Sequence, residues 1–117
     1  MARYVWMGKY SAQGAAAVAK EGLTSRKKAV EQLLSGLGMK LIGMWGMVEP
    51  EWDFLLLCEG DTDMRANQAA IMFMTIGTGM FERAGIYSLL ETDEVDQAQK
   101  AMPGYRPPGG TAAERVI

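Results

Sequence analysis

The chain has 117 residues, a formal net charge of −2, one cysteine and no histidine. That length makes one domain. The missing histidine removes a Ser-His-Asp triad, a Cys-His pair, His-ligated zinc and a histidine-held haem, and no metal ligand set or cofactor is read from the residues that remain. The lone Cys58 excludes an intrachain disulfide framework and fits a reducing, cytoplasmic setting. No basic patch marks a nucleic-acid partner, no apolar run approaches the roughly 18–20 residues of a membrane span, and no signal-peptide pattern opens the chain. Arg26-Lys27-Lys28 is the nearest thing to a basic run and reads as a solvated helix face.

Residues 2–10 read as a first strand, with Tyr4, Trp6 and Tyr10 on one face, Val5 and Met7 on the other, and Ser11 as the stop or helix cap. Residues 11–22 are alanine-rich and closed by Gly22; Thr24 then caps a second stretch in which Ala29, Val30, Leu33, Leu34 and Leu37 recur at helical spacing. The two stretches read as one broken helix.

Residues 39–48 make the second strand. Met39, Leu41, Trp45 and Met47 alternate with Ile42, Met44 and Val48, so both faces of this strand are apolar. Glu49-Pro50-Glu51 is a tight turn, and Trp52–Glu59 follows as the antiparallel third strand. A helix over 62–77 comes next, capped by Asp61 or Thr62 and carrying Met64, Ile71, Met72, Met74 and Ile76. The fourth strand spans 81–90, and Thr92 caps a short acidic helix over 93–101. Residues 1–101 form the domain and 102–117 a Pro/Gly-rich tail, mobile or laid over a neighbour.

The order βαββαβ is the ferredoxin-like split βαβ pattern: an α+β fold with a four-stranded antiparallel sheet and helices on one face. The other face carries too much apolar surface for water. Two copies placed sheet to sheet, a dimeric α+β barrel, would bury both, with strands two and three (Trp45 and Leu56 among them) dominating a homodimer or higher oligomer.

The segments Tyr4 to Gly14, Gly38-Met39-Lys40-Leu41-Ile42-Gly43 and Glu51-Trp52-Asp53-Phe54 resemble the GYD-domain family, in which a Gly-Tyr-Asp triplet opens the third strand. Here Glu51-Trp52-Asp53 stands in its place, and Glu51 asks for a turn without positive φ. The resemblance covers about residues 2–95. It implies a ferredoxin-like fold of the dimeric α+β barrel group and carries no assigned activity.

Asp53 is the candidate catalytic residue. At the head of an apolar strand, it reads either as a general acid or base or as a hairpin cap. Tyr4, Trp6, Tyr10, Trp52 and Asp53 are the candidate ligand-binding residues, aromatic walls with one polar anchor. Plain core packing is the competing account of the aromatic stripe. Gly14 opens the way for a ligand or backbone to approach, or simply marks a loop-to-helix transition. Cys58, among leucines, reads as inert, and Gly77-Thr78-Gly79 as a helix stop. The ten methionines suit a core and interface, or an adaptable cavity. The expected function is binding of a small hydrophobic or aromatic ligand. The alternatives are a cofactor-independent monooxygenase, isomerase or cyclase acting on a hydrophobic substrate, and a non-catalytic assembly protein.

Overall fold

The computed structural model describes residues 2–61 and 65–109. Its elements are β1 (Ala2–Tyr10), α1 (Ala12–Glu21), α2 (Leu23–Gly36), β2 (Lys40–Gly46), β3 (Phe54–Gly60), α3 (Arg65–Gly77), β4 (Phe81–Leu89) and α4 (Thr92–Lys100). The sheet runs β2-β3-β1-β4 with every pair antiparallel. This is the α+β, ferredoxin-like arrangement expected of the sequence.

One face of the sheet carries the core. Tyr4 and Trp6 of β1 and Phe54, Leu56 and Cys58 of β3 are buried there with Met39, under Val30 and Leu34 of α2 and Ile71 of α3. The stripe read along α2 is thus the one that folds inward. Thr75 is buried as well, and its hydroxyl donates to the Ile71 carbonyl at 2.8 Å, which satisfies it within the helix.

Ser11 caps α1, accepting from the Gly14 amide at 3.1 Å. Gly14 is where α1 meets the chain before β4: a Cβ there would lie 2.0 Å from the Met80 carbonyl oxygen, so only glycine fits. The helix break falls at Gly22, whose φ of 90° no other residue adopts cheaply. Thr24 does not cap α2; the cap position is Gly22, and Thr24 lies inside the helix. Likewise α4 begins one residue early. Glu91 holds its cap position, and its amide donates to Glu94 Oε1 at 3.1 Å, leaving Thr92 as the first helical residue. All of α4 is exposed.

The second strand departs from a simple alternation. Its pairing with β3 shifts between Leu41 and Gly43, a bulge around Ile42. One extra residue inverts the faces beyond it. Leu41 and Met44, opposite Cys58 and Leu56, therefore share the helix-covered face, while Gly43 and Trp45, opposite Leu57 and Leu55, share the open one. The expected grouping of Leu41 with Trp45 is wrong for this reason. The expected place of Leu56 in the open face is also wrong: it is fully buried under the helices, and Leu55 and Leu57 face outward. The third strand starts at Phe54 rather than Trp52. Thr62 and Met64, expected at the cap and first turn of the next helix, lie outside the described residues, as does the tail from residue 110 onward.

The open face consists of cross-strand rows. Trp45, Leu55, Met7 and Gly85 form one and Gly43, Leu57, Val5 and Tyr87 the next. Lys40, Glu59, Arg3 and Leu89 border them on one side, where Arg3 and Glu59 pair at 3.6 Å, and Lys9 and Arg83 on the other. The Trp45 ring lies over Gly43 and the Tyr87 side chain over Gly85, since a Cβ there would fall 2.6 Å from the Trp45 ring or 2.7 Å from the Tyr87 hydroxyl. The result is a flat apolar band between charged margins.

Candidate functional site

The helix-covered face holds a cluster of aromatic rings at the end of the sheet where β1 hands over to α1. Trp6 and Phe54 meet edge to face at 6.0 Å, Tyr10 lies 5.4 Å from Phe54 and 5.0 Å from Phe81, and Phe54 and Phe81 are 6.1 Å apart. Alternation along β1 and β3 puts these residues on one face, and the antiparallel register aligns them. They form the floor of a cavity of about 170 Å³. Met44 closes one side; Arg26, Ala29, Val30 and Leu33 of α2 and Met74 and Thr75 of α3 supply the roof, with Thr78 beyond.

A second hollow of about 340 Å³ adjoins the first and shares Tyr10, Arg26, Thr78 and Phe81 with it. Its remaining lining comes from α1 and the chain before β4: Gly14, Ala17, Val18, Glu21 and Met80. The two spaces are an apolar chamber and a more polar vestibule beside it, with Tyr10 and Arg26 lining both.

Polar groups gather at that boundary. Arg26 faces the Tyr10 side chain, and its Nη1 lies 3.7 Å from Glu21 Oε1. Glu21 also accepts from the Ser25 hydroxyl at 2.9 Å. Burial pushes the Tyr10 phenol above its ordinary value, with the charges of Asp53 and Glu21 adding to the effect and Arg26 opposing it. Tyr10 is therefore a protonated hydroxyl across the physiological range. Deeper in, Trp6 Nε1 is buried without a hydrogen-bond partner among the described residues.

Of the five residues expected to bind a ligand, Trp6 and Tyr10 line the chamber. Tyr4 lies further along the same face of β1, where its carbonyl is 3.7 Å from the Cys58 thiol. Asp53 does not reach the chamber. Its amide donates to Gly8 O at 2.8 Å, its carbonyl accepts from Met47 N at 2.9 Å, and its Oδ2 accepts from Tyr10 N at 2.8 Å. The bonds to Gly8 and Tyr10 extend the β1–β3 pairing past its last pair, at the point where the β1–β4 register shifts, and the bond from Met47 extends the β2–β3 pairing. The carboxylate thus holds the Tyr10 backbone, and through it the position of the phenol. Trp52 is elsewhere again: the Arg83 guanidinium sits 4.8 Å above its ring, and Arg83 Nη2 donates to Glu51 O at 2.6 Å. Glu49 closes this turn by accepting from the amides of Glu51 and Trp52. Glu51 has no positive φ.

The residue that sequence reasoning misses is Arg26. Its run with Lys27 and Lys28 reads as solvated, yet Arg26 is only partly exposed while the two lysines stay in water. Its spacing to Val30, Leu33 and Leu37 places it on the buried stripe of α2, which is the signal the sequence does offer. Thr75 continues the stripe of Ile71 on α3 in the same way, and Thr78 follows just past the end of the helix. Cys58 is buried, which pushes its thiol up to about 11 and leaves it unreactive at neutral pH.

No helix among the described residues is long and apolar enough to cross a membrane. A model of the GYD domain matches residues 4–99. A solved structure described as an uncharacterized NIPSNAP-like domain protein from Burkholderia xenovorans aligns at 18% identity over 78% of this chain and 84% of that one, with a TM-score of 0.48. No curated protein matches the chain.

Proposed function

The chain belongs to the GYD-domain family, and within that frame we propose that it is a binding module for a small hydrophobic or aromatic molecule held in the chamber between sheet and helices. The observation that carries this reading is the chamber itself: about 170 Å³, floored by Trp6, Tyr10, Phe54 and Phe81. An apolar cavity of about 150 Å³ accommodates a single aromatic ring. Met44 and Met74 in the walls adapt to the ligand's outline. The chamber lining has no carboxylate among the described residues, and the Asp53 carboxylate is engaged by the Tyr10 amide, so the arrangement favours binding over acid–base catalysis.

Toluene titration tests this reading. In the wild-type protein it should bind and shift the indole resonance of Trp6. Ala29→Phe, which fills the chamber from α2, should abolish the shift while leaving the fold intact. Equal binding by both proteins, or none by the wild type, would refute it.

A second element of the proposal is self-association through the open sheet face, favoured by the exposure of Trp45, Tyr87 and Leu89 there. Four strands of about seven residues each cover roughly 23 by 19 Å, so two copies would bury on the order of 1,000 Å², the lower end of a specific interface. A second copy offers the same flat band and the same charged margins, and a two-fold pairing would close without leaving either band in water. Sedimentation tests it; a folded monomer at micromolar concentration would contradict it.

A further inference from the structure

We propose that the ligand is an uncharged aromatic or branched molecule bearing one hydrogen-bond acceptor, an aryl ketone in its simplest form, with the apolar body in the chamber and the acceptor at the Tyr10–Arg26 boundary. This deepens the binding reading and rests on it.

The floor and roof of the chamber are mostly rings and aliphatic chains, which reward an apolar body; Thr75 donates its hydroxyl to the Ile71 carbonyl, and Trp6 Nε1 is a buried donor in the floor. The polar side chains that line both the chamber and the vestibule are Tyr10, Arg26 and Thr78, and Thr78 donates its hydroxyl to the Thr75 carbonyl at 2.8 Å, which leaves Tyr10 and Arg26 to meet a ligand at that boundary. Arginine carries donors and no acceptor, and the tyrosine hydroxyl can also donate. A ligand acceptor can meet both groups, whereas a ligand donor could meet the tyrosine oxygen alone.

Its charge follows from Glu21. That carboxylate lies in the vestibule lining and within 3.7 Å of the Arg26 guanidinium. The cation is thus already balanced. A carboxylate ligand would face Glu21 across the same guanidinium and would lose a strong hydration shell on entry, whereas a carbonyl oxygen meets no charge repulsion and loses far less hydration. The Tyr10 hydroxyl stays protonated because burial raises its pKa, so it remains a donor at neutral pH.

Acetophenone, cumene and benzoate separate these possibilities, because they share a ring and nearly a shape. Affinities would be read from the Trp6 indole resonance in the full chain. The wild type should bind acetophenone about 10-fold more tightly than cumene, the worth of one hydrogen bond, and more tightly than benzoate. Tyr10→Phe keeps the ring that packs on Phe54 and Phe81; Arg26→Gln shortens and neutralises the other donor. The preference for acetophenone over cumene should fall in at least one of them while cumene affinity holds. Equal affinity for acetophenone and cumene in the wild type would overturn this inference and leave the chamber as an apolar site. Benzoate binding best would overturn the uncharged assignment. A preference retained in both variants would overturn the placement of the acceptor. Failure of all three compounds to bind would remove the binding reading itself. The wild-type comparison needs no variant, so it tests the inference even where a substitution folds poorly.

Discussion

Gly14→Ala should destabilise the protein although it replaces glycine by the best helix former. In an open helix the change gains about 0.5–1 kcal/mol. Here the new Cβ would sit 2.0 Å from the Met80 carbonyl oxygen, and both atoms are fixed by backbone. Relief to an ordinary carbon–oxygen contact of about 3.3 Å requires α1 to retreat by roughly 1.3 Å. That motion strains two hydrogen bonds, from Ser11 N to Met80 O at 2.9 Å and from the Ser11 hydroxyl to Gly79 O at 2.8 Å. Each is worth about 0.5–1.5 kcal/mol, and overpacking of this kind adds about 1–3 kcal/mol. The net loss is about 2–4 kcal/mol, a fall of roughly 8–16 °C in Tm for a domain of this size. Gly36→Ala is the control, since a Cβ there meets nothing within 4 Å; it should be neutral or stabilising by up to about 1 kcal/mol. Thermal unfolding followed by circular dichroism reads both. Equal melting of the Gly14→Ala and Gly36→Ala proteins would refute the close approach of α1 to Met80.

Asp53→Ala should cost about 1–2 kcal/mol by leaving the Tyr10 amide without its 2.8 Å acceptor, while Asp53→Asn, which keeps an acceptor, should cost less than half as much in denaturant titration. Burial raises the Cys58 thiol from 9.0 to about 11, so the folded protein keeps a proton that the unfolded chain loses. The stability this contributes is complete below pH 9 and is lost as pH rises to about 11, a decline of about 2–3 kcal/mol that Cys58→Ala should remove from the alkaline limb of a stability–pH profile. Trp45→Lys and Leu57→Lys place charge in the apolar rows of the open face, and sedimentation should show each protein folded but shifted from dimer towards monomer; unaltered association would exclude that face as the interface.

Most of the fold is legible in the sequence because its signals are local. Period-two alternation locates β1, Glu49-Pro50-Glu51 marks the connection between β2 and β3 although that connection spans residues 47–53 rather than a tight turn, and the stripe from Val30 to Leu37 identifies the buried side of α2. The faces of β2 are not legible, because one extra residue at Ile42 inverts the alternation and no residue there is a bulge signature by itself. The site is half legible. Trp6 and Tyr10 follow from alternation, but Phe54, Phe81 and Arg26 join them only through sheet register and the packing of α2 across the strands. Trp52 and Asp53 suggest themselves for the site only through adjacency in sequence. The turn instead directs Trp52 to Arg83 and the Asp53 carboxylate to the Tyr10 backbone.

The decisive measurement is a crystal structure of the protein soaked with toluene or acetophenone. Electron density for the ring beside Trp6, Tyr10, Phe54 and Phe81, under Ala29 and Met74, is the expected result. A ring found only on the open face at Trp45 and Tyr87, or a chamber closed by Met44 and Met74 with no ring inside it, would contradict the assignment of this cavity as the binding site.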